Sequence, residues 1–179
     1  MIELKLIKEE DLINIIKWNE NTTRDFLMQW SGNLYSYPLT INQLKYYLKK
    51  SKENFNVFIY KIILEKNKMI GTIELKISDE GRTIGRICRV LIGDEAYRGK
   101  GIGTEVIIKA LKIGFENFKL DKITLGVYDF NKSAIRCYEK AGLKKYKLIE
   151  NKSKASDGMW DCNEMYISRE EFYALTNEN

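Results

Sequence analysis

"YRGKGIGTE", residues 97–105, sets glycines at 99, 101 and 103 in front of a long helical pattern. Three phosphate-holding turns begin this way, and spacing separates them. The P-loop needs G-x-x-x-x-G-K-[ST]. Here Gly93 and Gly99 have five residues between them, and Gly101 follows Lys100 where a hydroxyl should bind magnesium. The dinucleotide fingerprint needs G-x-G-x-x-G. Gly99 and Gly101 fit, but the third position is Thr104, although Asp121 lies at the distance of a ribose-binding acid. The strand before the turn also stands in mid-chain behind two hairpins, not at the start of a doubly wound sheet. The third pattern, [RQ]-x-x-G-x-[GA], is matched in full by Arg98-Gly99-Lys100-Gly101-Ile102-Gly103. Backbone N–H groups of such a turn converge with the unsatisfied N–H groups of the helix behind it. The helix dipole adds partial positive charge, and glycine lets the backbone touch a pyrophosphate without a Cβ in the way.

Working outward, alternation predicts a strand at 2–7 and a short amphipathic helix at 9–19. Residues 20–39 read as an aromatic loop with a helical turn, and Thr40 can cap a helix to Lys50. Strands follow near 55–64 and 69–77, joined by the turn EKNK, and near 84–92. The helix behind the glycine turn is expected over 102–118. Its stripe of Gly103, Ile107, Ala110, Leu111, Gly114 and Phe118 marks a buried face, and Ala110 and Gly114 allow close approach to a sheet. A strand near 122–128, a helix near 132–141 ended by Gly142, strands near 143–149 and 160–168 and a short acidic helix finish the chain. This order makes one mixed α/β domain over residues 1–179, with parallel pairing around the glycine turn.

With 44% hydrophobic residues in 179, the chain can bury a sizeable core. No apolar run reaches membrane-spanning length, and MIELKLIKEEDL is unlike a secretory signal, so a cytoplasmic protein is expected. Cys88, Cys137 and Cys162 are scattered and read as free core thiols. The formal charge of +5 is spread, which suits a phosphorylated cofactor or simply a lysine-rich surface; no clustered basic stripe argues for nucleic acid. Histidine is absent, which excludes His-based triads, His proton shuttles and His-ligated zinc.

A second stretch, "NKSAIRCYEKAGL" at 131–143, fits N-x-x-A-x-x-x-Y-x-x-x-G-[FL]. Asn131, Ala134 and Tyr138 share one helical face, and Asn131 also suits an N-cap. Taken alone, Asn131 could be only a cap and Tyr138 only core. With both motifs in order and one strand between them, the sequence resembles the GCN5-related N-acetyltransferases, the GNAT family. The resemblance covers about residues 55–168. In look the chain is closest to the branch of ribosomal-protein and polyamine acetyltransferases and some antibiotic-modifying enzymes.

The resemblance implies a central mixed, mostly antiparallel twisted sheet with helices on both faces and a splayed parallel strand pair. It implies acetyl-CoA as cosubstrate and no metal. Leu91, Ile92 and Gly93 would end the strand that pairs with the pantetheine amides. Arg98, Gly99, Lys100, Gly101, Ile102, Gly103 and Thr104 would form the pyrophosphate turn. Asn131 would bond the pantetheine arm, and Tyr138 would protonate the leaving thiolate. A neutral amine would attack the acetyl carbonyl directly. Many relatives carry a glutamate base where this chain has Gly126. Glu74 is the substitute named here, although a solvated strand face also accounts for it; Asp129, Glu164 or a water chain are further candidates. The acceptor, a small-molecule amine or a peptide N-terminus, would meet Trp18, Phe26, Trp30, Tyr35, Tyr37 and Trp160 with Glu20, Asp25, Asp157 and Asp161. The same residues could form a core with a wet rim. A homodimer is also expected. The alternative is a CoA-binding sensor or scaffold without catalysis.

Overall fold

In a computed structural model, whose described residues are 1–177, seven strands and six helices are present among those residues. Glu178 and Asn179 of the expected domain lie outside them. The strands are β1 (Glu3–Leu6), β2 (Val57–Leu64), β3 (Lys68–Ile77), β4 (Ile84–Ile92), β5 (Lys122–Tyr128), β6 (Lys144–Ala155) and β7 (Gly158–Ser168). The helices are α1 (Leu12–Asn19), α2 (Arg24–Ser31), α3 (Ile41–Glu53), α4 (Ile102–Lys112), α5 (Lys132–Lys140) and α6 (Arg169–Asn177). The strands follow the order β1-β2-β3-β4-β5-β7-β6. β4 and β5 run parallel, while β1–β2, β2–β3, β5–β7 and β6–β7 are antiparallel. The chain forms two compact units, Met1–Lys76 with Cys88–Lys100, and Ile77–Ile87 with the residues from Gly101 onward.

In the first unit, Leu12 and Ile15 of α1 and Leu44 and Leu48 of α3 form a buried cluster with Ile7, joined by Trp18, Trp30 and Tyr35. Thr40 starts α3 as expected, its hydroxyl accepting from Gln43 N–H at 3.3 Å. The expected loop at 20–39 instead contains α2. Thr23 caps that helix by accepting from Phe26 N–H, and Gly32 at φ +61° ends it. Buried Leu27 and Met28 supply its inner face. β3 departs from simple alternation, because residues on both its sides are buried, including Thr72 and Glu74. The solvated-face reading of Glu74 is therefore wrong. Ile70 to Leu75 are buried on both faces of β3, with Tyr47 of α3 reaching Glu74, and only Lys68 and Lys76 stay exposed.

In the second unit, Val106, Ile107, Ala110 and Leu111 form the buried stripe of α4. The α-helix is shorter than the expected 102–118. It ends at Lys112, and the chain continues in a wider five-residue turn, Ile113–Asn117, with Gly114 and Phe115 buried. A Cβ on Gly114 would lie 2.4 Å from Ile123 Cδ1, so a side chain there would have to displace Ile123 where this turn rests on β5. α5 ends in two bonds that enclose Gly142 at φ +94°: Leu143 N–H to Tyr138 O and Gly142 N–H to Glu139 O, both 3.0 Å. β6 runs six residues beyond the expected 149, to Ala155. It is an edge strand, mostly exposed on both sides, so its polar run needs no alternation, and it bulges between Ile149 and Ser153.

The turn before β4 is held by one carboxylate. Asp79 accepts from the N–H groups of Thr83 and Ile84 and from the Thr83 hydroxyl, at 2.7–3.0 Å. These bonds, that of Ile84 first, hold its carboxyl below the usual carboxylate range. A depressed folded-state pKa stabilises above the unfolded value and loses that contribution as pH falls through the folded one. Asp79→Asn is therefore expected to be less stable than wild type at pH 7, with the gap closing below about pH 3.9. Urea denaturation at pH 7 and pH 3 checks this.

Candidate active site

β4 ends in the first unit at Ile92, and Gly93 lies against the indole of Trp18. A Cβ on Gly93 would fall 2.0–2.5 Å from ring atoms of that indole. The following loop is fastened by two side chains. Asp94 accepts from Ala96 N–H and pairs with Lys68 at 2.8 Å. Arg98 donates from Nε to Ile92 O at 2.8 Å and from Nη2 to Gly93 O at 3.3 Å, pairs with Glu95, and lies over the Phe26 ring. The Arg98 side chain thus braces the strand end, while its backbone N–H donates to Glu95 O at 3.0 Å.

Gly99 and Gly101 take φ +73° and +78°, where an L side chain is strained, and the space that a Cβ would fill is open at both. Gly101 is the N-cap of α4 and has no side chain to satisfy the helix's first N–H groups. Thr104 N–H reaches back to Gly101 O at 3.1 Å. Among the described residues no carbonyl accepts from Ile102 or Gly103 N–H. A helix entrance with open donors, no Cβ and the positive end of its dipole is built for an anion. Gly103 has a different role. Its missing Cβ makes room for Cys137 Sγ, which would otherwise be 2.9 Å away. The Thr104 hydroxyl lies 3.3 Å from the same sulfur.

Asn131 caps α5, its Oδ1 accepting from Ala134 N–H at 3.2 Å. Tyr138, two turns on, is 9% exposed. Burial first, and Cys137 beside it second, push its phenol above the usual tyrosine value, so it stays protonated. Among the described residues Cys88, Cys137 and Cys162 form no disulfide.

Glu74 lies in the first unit and is 1% exposed. Its Oε1 is 2.5 Å from Arg89 Nη1, and its Oε2 accepts from the Tyr47 hydroxyl at 2.8 Å. Arg89 and Tyr47 escaped the sequence reading. Arg89 sits at φ +50° within β4, an irregularity that an arginine codon does not announce. In the second unit, Glu164 forms a bidentate pair with Arg86 at 2.6 and 2.8 Å. A Cβ at Gly126 would meet Arg86 Nη2 at 2.7 Å and Glu164 Oε1 at 3.1 Å, which explains the glycine there. Asp129 stays near the surface beside Lys132.

Among the expected acceptor residues, Tyr35 and Tyr37 line an open pocket of about 400 Å³ with Arg24, Leu27 and Asn33. Glu20 and Tyr37 line a second of about 210 Å³. Trp160 belongs to a separate aromatic group with Tyr128 and Phe130.

The family model described as "Acetyltransferase (GNAT) family" matches residues 17–143. The chain belongs to this family. It is an N-acetyltransferase that uses acetyl-CoA as cosubstrate, and no feature of the described residues favours a non-catalytic role. It is 28% identical over 175 residues to the SPbeta prophage-derived uncharacterized N-acetyltransferase YokL of Bacillus subtilis (strain 168), covering 96% of this chain and 92% of that protein. It is 26% identical to an aminoglycoside N(6')-acetyltransferase type 1 of Klebsiella pneumoniae, over 80% of this chain and 74% of that one. Spermidine N-acetyltransferase from Vibrio cholerae, crystallised with CoA and spermine, shares the fold with a TM-score of 0.84 at 21% identity, covering 96% and 98% of the two chains.

The close packing of Gly93 under Trp18 yields a direct expectation. Gly93→Ala must displace the indole, and overpacking of this kind typically costs about 1–3 kcal/mol. Urea denaturation should register that loss, and tryptophan emission of the folded variant should shift.

Proposed function

We propose that the glycine turn holds the pyrophosphate of acetyl-CoA, with backbone N–H groups of Lys100, Gly101 and Gly103 as donors, those of Arg98 and Thr104 being already given to Glu95 O and Gly101 O. The observation that carries this reading is the open, uncapped entrance of α4, with Gly99 and Gly101 in left-handed conformation. The backbone of Leu91, Ile92 and Gly93 pairs with the pantetheine amides. Asn131 keeps its side-chain N–H₂ for the pantetheine arm, since only its Oδ1 is taken by the cap. Tyr138 donates a proton to the departing thiolate, a role that suits a phenol kept neutral by burial.

The acceptor is a primary amine on a polyamine, an amino sugar or a polypeptide N-terminus. It meets the α1–α2 wall of the first unit, where Tyr35 and Tyr37 line the larger pocket. The relatives' names, an aminoglycoside and a spermidine acetyltransferase, support this range. The chain works as one acetyltransferase domain in the cytoplasm, where its three thiols remain reduced.

Acetyl-CoA should raise the melting temperature of the wild-type protein, because a ligand that binds only the native state stabilises it. Gly101→Asp places a side chain and a negative charge at the anion site and should abolish that protection. Undiminished protection of a folded variant would remove the turn from the site. An acetylation assay over peptides, polyamines and aminoglycosides identifies the acceptor.

With an acceptor in hand, Tyr138→Phe keeps the ring and deletes the hydroxyl. A drop in kcat of at least about tenfold is expected, with acetyl-CoA affinity changed less than about threefold. Wild-type turnover across the pH range would pass the proton to solvent instead.

A further inference from the structure

The first unit contains a buried ionic network that none of the roles above uses. Glu74 on β3 binds Arg89 of β4 through Oε1 and receives the Tyr47 hydroxyl of α3 at Oε2. The Arg89 guanidinium lies over the Tyr47 ring, 5.2 Å from its centroid. Tyr35 packs edge-on against Tyr47 at 5.9 Å, and Tyr35 also lines the larger open pocket.

Two features of this network are incomplete. Among the described residues no group pairs with buried Arg89 Nε, so the guanidinium is under-satisfied as it stands. The Tyr47 oxygen has two lone pairs, yet among the described residues no group donates to it. What fits beside that oxygen is an N–H donor. Glu74 itself cannot meet an incoming amine, since it is buried and both its oxygens are engaged. Tyr47 is only partly buried, so it is the member of the pair that an acceptor can reach. Arg89 precedes Leu91 by two residues, or at most about 7 Å of chain. The network therefore adjoins the strand end proposed to pair with the pantetheine arm that carries the thioester.

We infer that Tyr47 takes the proton of the attacking amine and passes its own to Glu74, so that Glu74 acts as a base through Tyr47 and not by contact. The inference rests on the acetyl-transfer reading above. The amine nitrogen forms its bond to the acetyl carbon as the carbon–sulfur bond breaks, and the sulfur leaves with the proton of Tyr138. The surplus proton on nitrogen moves to Tyr47 Oη while the phenolic proton of Tyr47 moves to Glu74 Oε2. Tyr47 stays a phenol throughout and Glu74 ends as a neutral acid; once the products have left, Glu74 returns its proton to water and the Tyr138 phenolate takes one back from water. Burial favours that neutral acid and raises the Glu74 carboxyl above its usual range, opposed by Arg89, by the Tyr47 hydroxyl and by Lys76. Tyr35 is the remaining titratable group facing the network, and burial raises its phenol.

Tyr47→Phe tests this, measured on the full chain with an acceptor that the wild type acetylates. Expected are a fall in kcat of about tenfold or more, unchanged acetyl-CoA affinity, and partial rescue by imidazole buffer, which leaves wild-type rates unaffected. Tyr46→Phe, on the exposed neighbour, should behave as wild type. Glu74→Gln, if folded, should lose a similar factor, and the double variant should be no slower than either single one, because the two residues form one path. If Glu74→Gln does not fold, the imidazole response of Tyr47→Phe decides alone. A Tyr47→Phe enzyme with wild-type kcat, or one slowed without buffer rescue, would overturn the relay while leaving acetyl transfer intact. Absence of turnover by the wild-type chain on every amine tried would overturn the acetyl-transfer reading and the relay with it.

Discussion

The arrangement depends on a backbone conformation that only glycine adopts without strain. Gly99 and Gly101 both sit near φ +75° and deliver the chain into α4 with its first donors unspent. A serine or aspartate at the N-cap would have satisfied those N–H groups internally, at a gain in helix stability. Leaving them open is favourable only when a ligand completes them. The neighbouring residues hold this entrance in place. Arg98 ties the loop back to the carbonyls of Ile92 and Gly93, and Asp94 closes the turn after the strand. On the helix side, the absent Cβ atoms of Gly103 and Gly114 let α4 and its extension pack against Cys137 and Ile123.

Each of the two units buries charge in a pair. Glu74–Arg89 and Glu164–Arg86 are each taken largely out of water, and desolvation of that kind is repaid only when geometry is good and further hydrogen bonds are made. Glu164 meets the condition, with both its oxygens on one guanidinium. Glu74 meets it with a guanidinium and a phenol, but among the described residues no group pairs with Arg89 Nε. The second pair reads as architecture that fills the space over Gly126; the first retains unused hydrogen-bonding capacity beside the strand proposed to pair with the pantetheine arm.

Much of this was legible in the residues. Spacing alone separated the glycine turn from the P-loop and the dinucleotide fingerprint, and the bounds of β4 and β5 followed from alternation. α2 was legible too, in Thr23 and Gly32 at its ends, but the aromatic residues between them masked the helical period. For Glu74, named as a candidate base, the competing solvated-face account fails because alternation says which residues share a face and not whether that face is covered. The widened turn after α4 and the left-handed Arg89 leave no mark in sequence, since both arise from how close packing is resolved after the elements meet. Gly126 looked like a missing base, and became intelligible only with Arg86 and Glu164 lying across it.

The most direct test of the central claim follows backbone amides by NMR while ligand is added. Titration with CoA should shift the amide resonances of Lys100, Gly101 and Gly103 most strongly, because those N–H groups are the proposed pyrophosphate donors. Pantetheine, which lacks the pyrophosphate, should leave them nearly unmoved while perturbing Leu91 to Gly93. If CoA binds and the amides of residues 98–104 stay where they are, or move equally with pantetheine, the glycine turn is not the phosphate cradle and the account fails at its foundation.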